Sequence, residues 1–312
     1  MTRRKNLKQL KHSSFGYHLR HLIMPNISII ISGGSSKGAY QIGFFKALIK
    51  KGLLPFITSA SATSIGAINT YAFLNGKLDL AEQLWMQLDF KGIWNFRKKV
   101  INEGLLENIF SSLIKEEDNI QQDFYITLTE MTTMTAHHFN LKGKMNDEKK
   151  KLLKTTISIP LLTSVPYQYK DKIYFDGGVT DNIPFSSART KNNDLIFIVH
   201  FTPGYDIPQK HKKDIIEINF SNSKNFIKGN FNYKQEEIKY MIEEGERFTL
   251  QTIDKFISSS RRTFTNNKAK DLYYYFSGAR LLSILNYTLQ IGKNKRVLWI
   301  KKLKNLCFGK NS

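Results

Sequence analysis

The stretch that decides the fold spans residues 26–43 and reads Asn-Ile-Ser-Ile-Ile-Ile-Ser-Gly-Gly-Ser-Ser-Lys-Gly-Ala-Tyr-Gln-Ile-Gly. Its isoleucine-rich run predicts a buried strand over residues 27–32, because β-branched side chains favour extended backbone. The run breaks at Gly33 and Gly34, and the pattern that follows predicts a helix over residues 37–50. A strand, a glycine turn and a helix start aim backbone amides and a helix dipole at one point, which favours anion binding.

A second stretch, residues 56–66, repeats this plan. A strand is predicted over residues 56–62, followed by Ala62-Thr-Ser-Ile-Gly66 and a helix over residues 65–74. This pattern is close to the G-x-S-x-G nucleophile elbow, in which a serine sits on a tight strand-to-helix turn. One loop therefore offers a site for negative charge and the other offers Ser64 as a nucleophile, which together indicate acyl transfer.

The remaining chain alternates predicted strands and helices, which is typical of a three-layer α/β domain. Asp79 is predicted to cap the next helix, and a helix over residues 105–114 is predicted to cover the mouth of the site. Further elements are predicted as strands at residues 124–131, 138–141, 173–175, 195–200 and 215–220, and as helices at residues 149–156 and from Gln235 onward.

A third informative stretch reads Tyr174-Phe-Asp-Gly-Gly-Val-Thr-Asp-Asn-Ile-Pro184. Asp176 ends a predicted strand and is followed by two glycines, so its carboxylate can project beyond the sheet edge with little steric cover. Four motifs in this order resemble those of the patatin-like phospholipases. They are the glycine loop that ends in Lys37-Gly38, the serine elbow, the run 155–160, and Asp-Gly-Gly followed by Asn182-Ile-Pro. The resemblance covers roughly residues 27–250.

The resemblance implies a mixed, mostly parallel sheet between helices, with further helices at the C-terminus. It implies a catalytic dyad of Ser64 as nucleophile and Asp176 as base, without a histidine, cofactor or metal. Its oxyanion hole would be formed by the loop residues Gly33, Gly34, Ser35, Ser36, Lys37 and Gly38. The implied substrate is a membrane phospholipid from which an ester-linked fatty acid is cleaved, and Lys37 adds a positive charge that suits a phosphate-bearing substrate.

The sequence departs from the family pattern at two positions. Ala62 stands where the elbow usually has glycine, so the turn must accommodate one extra methyl group. Ser35 stands where a third loop glycine is typical, and it would need a backbone conformation that disfavours a Cβ atom.

Several alternatives remain open at this point. Ser59 and Ser61 lie close to the elbow serine, and Asp181 competes with Asp176 for the role of base. The chain order Ser64, Asp176, His200 also fits an α/β-hydrolase triad. Neighbouring His137 and His138 would point to opposite faces of a strand, which disfavours a metal site. A general or neutral-lipid esterase with the same dyad, or an inactive relative that binds lipid or nucleic acid, are the rival functions.

Charge is distributed unevenly along the 312 residues, whose formal net charge is +21. No acidic residue precedes Asp79 and none follows Asp271, so both ends are basic. The predicted divisions are a basic leader over residues 1–25, an acyl hydrolase domain over 26–257 and a basic helical extension over 258–312. A helix over residues 293–310 would present Trp299 and aliphatic side chains on one face. These basic ends predict an anionic membrane surface as partner rather than a specific nucleic acid, for which no reader motif is present.

A lone cysteine, Cys307, excludes a disulfide framework and a cysteine zinc site. The basic start is followed by no apolar run typical of a signal peptide, and no stretch has the length of a transmembrane helix. We therefore expect a cytoplasmic protein with peripheral membrane association, or one exported by a route that needs no classical signal. Nothing in the sequence indicates an oligomeric state.

Overall fold

A computed structural model describes residues 26–159, 167–188, 195–207 and 215–262. Its strands are β1 Ile27–Ile31, β2 Ile57–Thr63, β3 Phe90–Lys91, β4 Asp123–Glu130, β5 Thr135–Asn140, β6 Tyr167–Tyr169, β7 Lys172–Asp176, β8 Leu195–His200, β9 Ile215–Asn219 and β10 Asn232–Tyr233. Its α-helices are α1 Gly38–Lys50, α2 Ile65–Leu74, α3 Leu78–Met86, α4 Ile93–Ile101, α5 Leu105–Leu113, α6 Asn146–Thr156 and α7 Gln235–Arg262.

The main sheet has the strand order β6-β7-β4-β2-β1-β8-β9, with β5 paired to β4. Strands β4, β2, β1, β8 and β9 are parallel to one another. Strands β5, β6 and β7 are joined to the sheet by antiparallel pairings. Every residue of β1 and β8 is buried, as strands covered by helices on both faces require. The fold is therefore the mixed, mostly parallel α/β sheet between helices that the sequence predicts.

The strand pairing brings the ends of β2 and β7 together. Strand β2 pairs with β4 up to Thr63 opposite Thr127, and β7 pairs with β4 from Leu128 opposite Asp176. Because β5 occupies the other edge of β4 over both stretches, β2 and β7 share one edge and approach each other from opposite directions. The end of β2 and the end of β7 therefore meet at neighbouring residues of β4.

The structure corrects and extends the sequence prediction at several elements. Helix α3 begins at Leu78 with Lys77 as its N-cap, so Asp79 lies in the first turn and not at the cap. The sequence did not predict β6, helix α4 or the two-stranded ribbon of β3 and β10. No helix among the described residues has the length and hydropathy needed to cross a bilayer. The predicted leader 1–25 and helix 293–310 lie outside the described residues, as does most of the extension 258–312.

Candidate active site

Ser64 occupies a strained turn between β2 and α2. Its φ of 54° and ψ of −134° lie in a region that non-glycine residues rarely adopt, at a cost of about 1–3 kcal/mol. The Ser64 amide donates to Thr156 Oγ1 at 3.0 Å, and that hydroxyl donates to the Thr127 carbonyl at 2.9 Å. A side chain at Gly66 would place a Cβ atom 2.5 Å from the Ser32 carbonyl oxygen. The elbow is therefore held by contacts from α6 and β4, and it requires glycine on its helix side.

Asp176, the last residue of β7, lies beside this turn. Ser64 Oγ donates to Asp176 Oδ2 at 2.6 Å, and the Gly178 amide donates to Oδ1 at 2.7 Å. The carboxylate is 6% exposed. Burial raises the pKa of Asp176 to about 6, against the opposing effect of its hydrogen bonds from Ser64 and Gly178. A carboxylate with this pKa is ionised near neutral pH and is more basic than an exposed aspartate.

The glycine loop lies beside Ser64 and contributes unpaired amides. The amides of Gly33, Lys37 and Gly38 already donate, to Asn182 Oδ1 and to backbone carbonyls of the loop. Within the described residues, the amides of Gly34, Ser35 and Ser36 have no hydrogen-bond acceptor. Ser36 is buried, whereas Gly34 and Ser35 line the cavity that contains Asp176. Of the six predicted loop residues, Gly34 and Ser35 are therefore the ones whose amides are both unpaired and open to a ligand. The Ser36 hydroxyl accepts from the Asn232 amide at 3.2 Å, which fixes Ser36 beneath the loop surface.

Close packing explains the first glycine of this loop. A Cβ atom on Gly33 would lie 2.8 Å from the Ser64 Cβ and 2.6 Å from Asn182 Oδ1. Any side chain at position 33 would therefore displace Ser64 and the Asn182 side chain that accepts from the loop. The role of Asn182 as an acceptor for the Gly33 amide was not assigned from the sequence, although the Asn-Ile-Pro run was recognised as part of a motif.

An apolar cavity and a more polar one meet at Ser64. An apolar cavity of about 150 Å³ extends from Ser35, Ser64 and Ile159 between α3, α4 and α5. Its walls are mainly large aliphatic and aromatic side chains, among them Ile68, Leu84, Trp85, Leu88, Phe96, Leu105, Leu106, Ile109 and Ile157. A second cavity of about 350 Å³ also includes Ser35, Ser64 and Ile159 in its lining. Its other lining residues include Gly33, Gly34, Lys37, Asp176, Asn182 and Thr202. Ser64 therefore lines both the apolar cavity and the more polar one.

Sequence comparison identifies the family. The family model described as patatin-like phospholipase matches residues 29–189, which is more than half of the 312 residues. The chain belongs to the patatin-like phospholipase family. This membership supports lipid hydrolysis as the class of activity. A search of curated proteins finds no significant match.

Solved structures with a similar chain path include two bacterial proteins and one human enzyme. VipD from Legionella pneumophila is 12% identical, with a TM-score of 0.45 over 90% of this chain and 80% of its own. ExoU from the type III secretion system of Pseudomonas aeruginosa is 14% identical, with a TM-score of 0.41 over 74% of this chain and 53% of its own. Human GIVD cytosolic phospholipase A2 is 11% identical, with a TM-score of 0.44 over 87% of this chain and 65% of its own. The chain thus spans less than two thirds of ExoU and of the human enzyme.

The two departures from the patatin-like pattern are accommodated differently. Ala62 is fully buried within β2, so its methyl group is part of the core. Ser35 has a φ of 53°, the left-handed backbone that a glycine would adopt without strain. Its hydroxyl lies 3.1 Å from the Tyr233 hydroxyl, a contact that glycine could not make. A hydrogen bond to strand β10 thus accompanies the strained backbone of Ser35.

Tyr233 was not identified from the sequence. Its ring stacks on Phe90, Phe96 and Trp85 at centroid distances of 4.7, 5.8 and 6.1 Å. Burial raises the pKa of Tyr233 to about 12, so the hydroxyl stays protonated at all physiological pH values. Tyr233 therefore presents a fixed, uncharged hydroxyl to the glycine loop.

The structure does not bring His200 to Asp176. His200 is fully buried; its Nε2 lies 2.9 Å from Glu217 Oε1, and its Nδ1 accepts from the Thr202 amide at 3.2 Å. Both ring nitrogens are thereby engaged away from Ser64, so the alternative triad is not formed. Burial lowers the pKa of His200, against the raising effect of Glu217.

The other competing residues are also engaged elsewhere. Asp181 Oδ2 lies 3.5 Å from both His138 Nε2 and Ser186 Oγ, and burial raises the pKa of its carboxyl to about 6. Ser59 donates to Ser28 Oγ at 2.9 Å, and Ser61 contacts Ser187. Within the described ranges, no three histidine, cysteine or acidic side chains cluster in a way that could hold a metal ion.

Proposed function

We propose that this protein is a serine lipid acyl hydrolase of the phospholipase A or lysophospholipase type, with Ser64 as nucleophile and Asp176 as general base. The observation that carries the proposal is the 2.6 Å hydrogen bond from Ser64 Oγ to a buried carboxylate, where an apolar cavity and a more polar one meet. No histidine is needed, because a carboxylate within hydrogen-bond reach can take the proton directly.

The first half-reaction acylates Ser64. As Oγ attacks the ester carbonyl carbon, its proton passes to Asp176 and the carbonyl electrons move onto the oxygen. The amides of Gly34 and Ser35 donate to this oxyanion, and such donors each contribute about 10²–10³ in rate. When the tetrahedral intermediate collapses, the C–O bond to the alcohol breaks and Asp176 returns the proton to the leaving oxygen.

The second half-reaction releases the fatty acid. A water molecule attacks the acyl carbon while Asp176 accepts one of its protons. The second tetrahedral intermediate expels Ser64 Oγ, which regains a proton from Asp176. Atoms and charges therefore return to their starting state, and no cofactor takes part.

The two cavities suit an amphipathic ester. The apolar cavity can hold an acyl chain, since its walls are almost wholly aliphatic and aromatic. Lys37 lines the polar cavity, and its ammonium lies 5.6 Å from the centroid of the Phe201 ring. No carboxylate of the described residues forms an ion pair with Lys37, whose pKa is lowered by burial. An unpaired cation beside the nucleophile favours a phosphate-bearing lipid over a neutral one.

A defined panel of lipids tests this assignment. Purified protein is incubated with phosphatidylcholine, phosphatidylglycerol, lysophosphatidylcholine and triolein, and free fatty acid is measured. We expect release from the phosphate-bearing lipids at a higher rate than from triolein. Preferential release from triolein would replace the assignment with a neutral-lipid esterase. No release from any lipid, together with no labelling of Ser64 by a fluorophosphonate probe, would instead indicate an inactive lipid-binding relative.

Activity should fall on the acid side with an apparent pKa of about 6. Only the ionised form of Asp176 can accept the Ser64 proton, and burial places the pKa of this carboxyl at about 6. Below that pH, kcat/KM for a soluble ester should fall tenfold per pH unit. An acid limb near pH 4, where an unperturbed aspartate titrates, would show that a different group acts as the base.

Removing the Tyr233 hydroxyl should slow the chemical step without weakening substrate binding. Tyr233→Phe keeps the ring stack but releases Ser35, so the loop amides lose part of their orientation, and we expect kcat to fall about tenfold with KM unchanged. Tyr71→Phe is the matched control, since Tyr71 is also buried and donates one hydrogen bond, to Asp118.

A second variant separates loop orientation from general destabilisation. Adding Ser35→Gly to Tyr233→Phe should restore most of kcat, because glycine adopts the φ of 53° without the anchoring hydroxyl. Equal losses of kcat in Tyr71→Phe and Tyr233→Phe, or no recovery in the double variant, would contradict a positioning role for Tyr233.

A further inference from the structure

Helix α4 presents an exposed face that combines apolar and basic side chains. At 100° per residue, five of its side chains fall within an arc of about 140°; we call this set the Trp94 face, and it consists of Ile93, Trp94, Arg97, Lys98 and Ile101. Trp94 is 75% exposed, Ile101 46% and Ile93 38%, and the two basic side chains are also exposed. A tryptophan and two isoleucines held in solvent on one helix face mark an interaction surface.

The buried side of α4 packs toward the apolar cavity that Ser64 also lines. Val100 is buried, and Phe96 stacks on Tyr233 and lines the apolar cavity. Helix α5, which follows directly, lines the same cavity with Leu105, Leu106 and Ile109. The Trp94 face therefore lies on the outer side of the helices that wall the apolar compartment.

The charges around the face leave it positive. Lys99 is paired with Glu103 at 2.6 Å, and Lys234 with Asp89 at 3.3 Å. Arg97 and Lys98 form no ion pair with any carboxylate in the described part of the chain. The face therefore favours an anionic partner that can also bury tryptophan and isoleucine side chains.

An anionic phospholipid bilayer meets both requirements. Tryptophan prefers the boundary between headgroups and acyl chains, aliphatic side chains enter the acyl region, and arginine and lysine contact the phosphate layer. The chain's own C-terminal stretch is a poorer occupant, because it contains no acidic residue after Asp271 and would meet like charge.

We propose that the Trp94 face docks the protein on anionic phospholipid bilayers, so that the helices walling the apolar cavity lie against the lipid. The proposal rests on the lipid hydrolase function proposed above, and it concerns where the enzyme meets its substrate. Docking through α4 would let an acyl chain pass from the bilayer into the apolar compartment without crossing water.

Vesicle binding tests the docking surface separately from catalysis. The full chain with Ser64→Ala, which cannot consume the lipid, is sedimented with vesicles of pure phosphatidylcholine or of phosphatidylcholine with 30% phosphatidylserine. Adding Trp94→Ala should weaken binding to the anionic vesicles about tenfold, and Arg97→Gln with Lys98→Gln should remove most of the preference for them. Lys239→Gln with Lys255→Gln is the matched control, because these exposed lysines lie on α7 and make no ion pair within the described ranges.

A catalytic measurement distinguishes this proposal from the proposed function. With Ser64 intact, Trp94→Ala should reduce hydrolysis of anionic vesicles about tenfold while sparing a soluble short-chain ester. Unchanged vesicle binding by Trp94→Ala and by the Arg97 and Lys98 variant would overturn the docking surface, whatever the activity. A dimer that Trp94→Ala dissociates, without change in vesicle binding, would assign the face to a second copy and also overturn it. Face-dependent vesicle binding by a protein that cleaves no ester would support docking and contradict the hydrolase function.

Discussion

Replacing Ser64 with alanine should lower ester hydrolysis on the order of 10⁴-fold or more, the scale seen when a covalent nucleophile is removed. The variant loses the only hydroxyl that donates to Asp176 Oδ2 within the described residues. It should also fail to react with a fluorophosphonate probe. Ser59→Ala is the matched control on the same strand, since Ser59 donates to Ser28; it should keep both activity and labelling.

The competing triad is tested alongside this variant. His200→Asn preserves an acceptor for the Thr202 amide but removes the imidazole, and we expect its activity to stay within about tenfold of the wild type. Loss of activity equal to that of Ser64→Ala, in a His200→Asn protein with an unchanged unfolding midpoint, would contradict the dyad.

Asp176→Asn should separate catalysis from stability. Because the amide cannot accept the Ser64 proton, kcat should fall on the order of 10⁴-fold. The wild-type carboxylate is charged and buried at pH 8, and raising the pKa of Asp176 from 3.8 to about 6 corresponds to about 3 kcal/mol of unfavourable free energy there. The variant loses one of two hydrogen bonds, which offsets about 1 kcal/mol. We therefore expect the free energy of unfolding at pH 8 to rise by about 2 kcal/mol.

The pH dependence of this gain has a definite sign. The folded protein holds the Asp176 proton more tightly than the unfolded chain, so this group favours folding at low pH, and its contribution falls as pH rises from about 4 to about 6. Below pH 4 both forms are protonated and the advantage of Asp176→Asn should vanish. Urea unfolding at pH 8 and pH 4 measures the difference. A variant less stable than the wild type at pH 8 would show that burial of this charge costs little.

The local motifs were predictable because each depends on neighbouring residues. A β-branched run ending in Gly33 and a serine between Ala62 and Gly66 give a strand, a turn and a helix with little help from the rest of the chain. The alternation of such units indicated a layered α/β fold, and the order of the motifs indicated the family.

Other parts depend on contacts that sequence spacing does not reveal. The meeting of Ser64 and Asp176 requires β7 to run against β2 on one edge of β4, and local sequence does not specify strand direction. Tyr233 reaches Ser35 across 198 positions of the chain. Asp79 fits the preferences of an N-cap, yet the N-cap of α3 is Lys77, two residues earlier. Acidic residues such as Asp79 are also favourable in the first turn of a helix. These residue pairs are therefore set by tertiary contacts, which local sequence preferences do not predict.

If Ser64 is the nucleophile, as we propose, its place between two cavities has a consequence for the order of product release. In the proposed mechanism the alcohol would leave first, through the more polar cavity, while the acyl group would stay covalently attached in the apolar one. The compartment vacated by the alcohol is then the entry route for the molecule that attacks the acyl group. Water and added alcohols share this route, so the two should compete for the same acyl-enzyme. We therefore expect methanol or glycerol to divert product from free fatty acid to a new ester in proportion to its concentration.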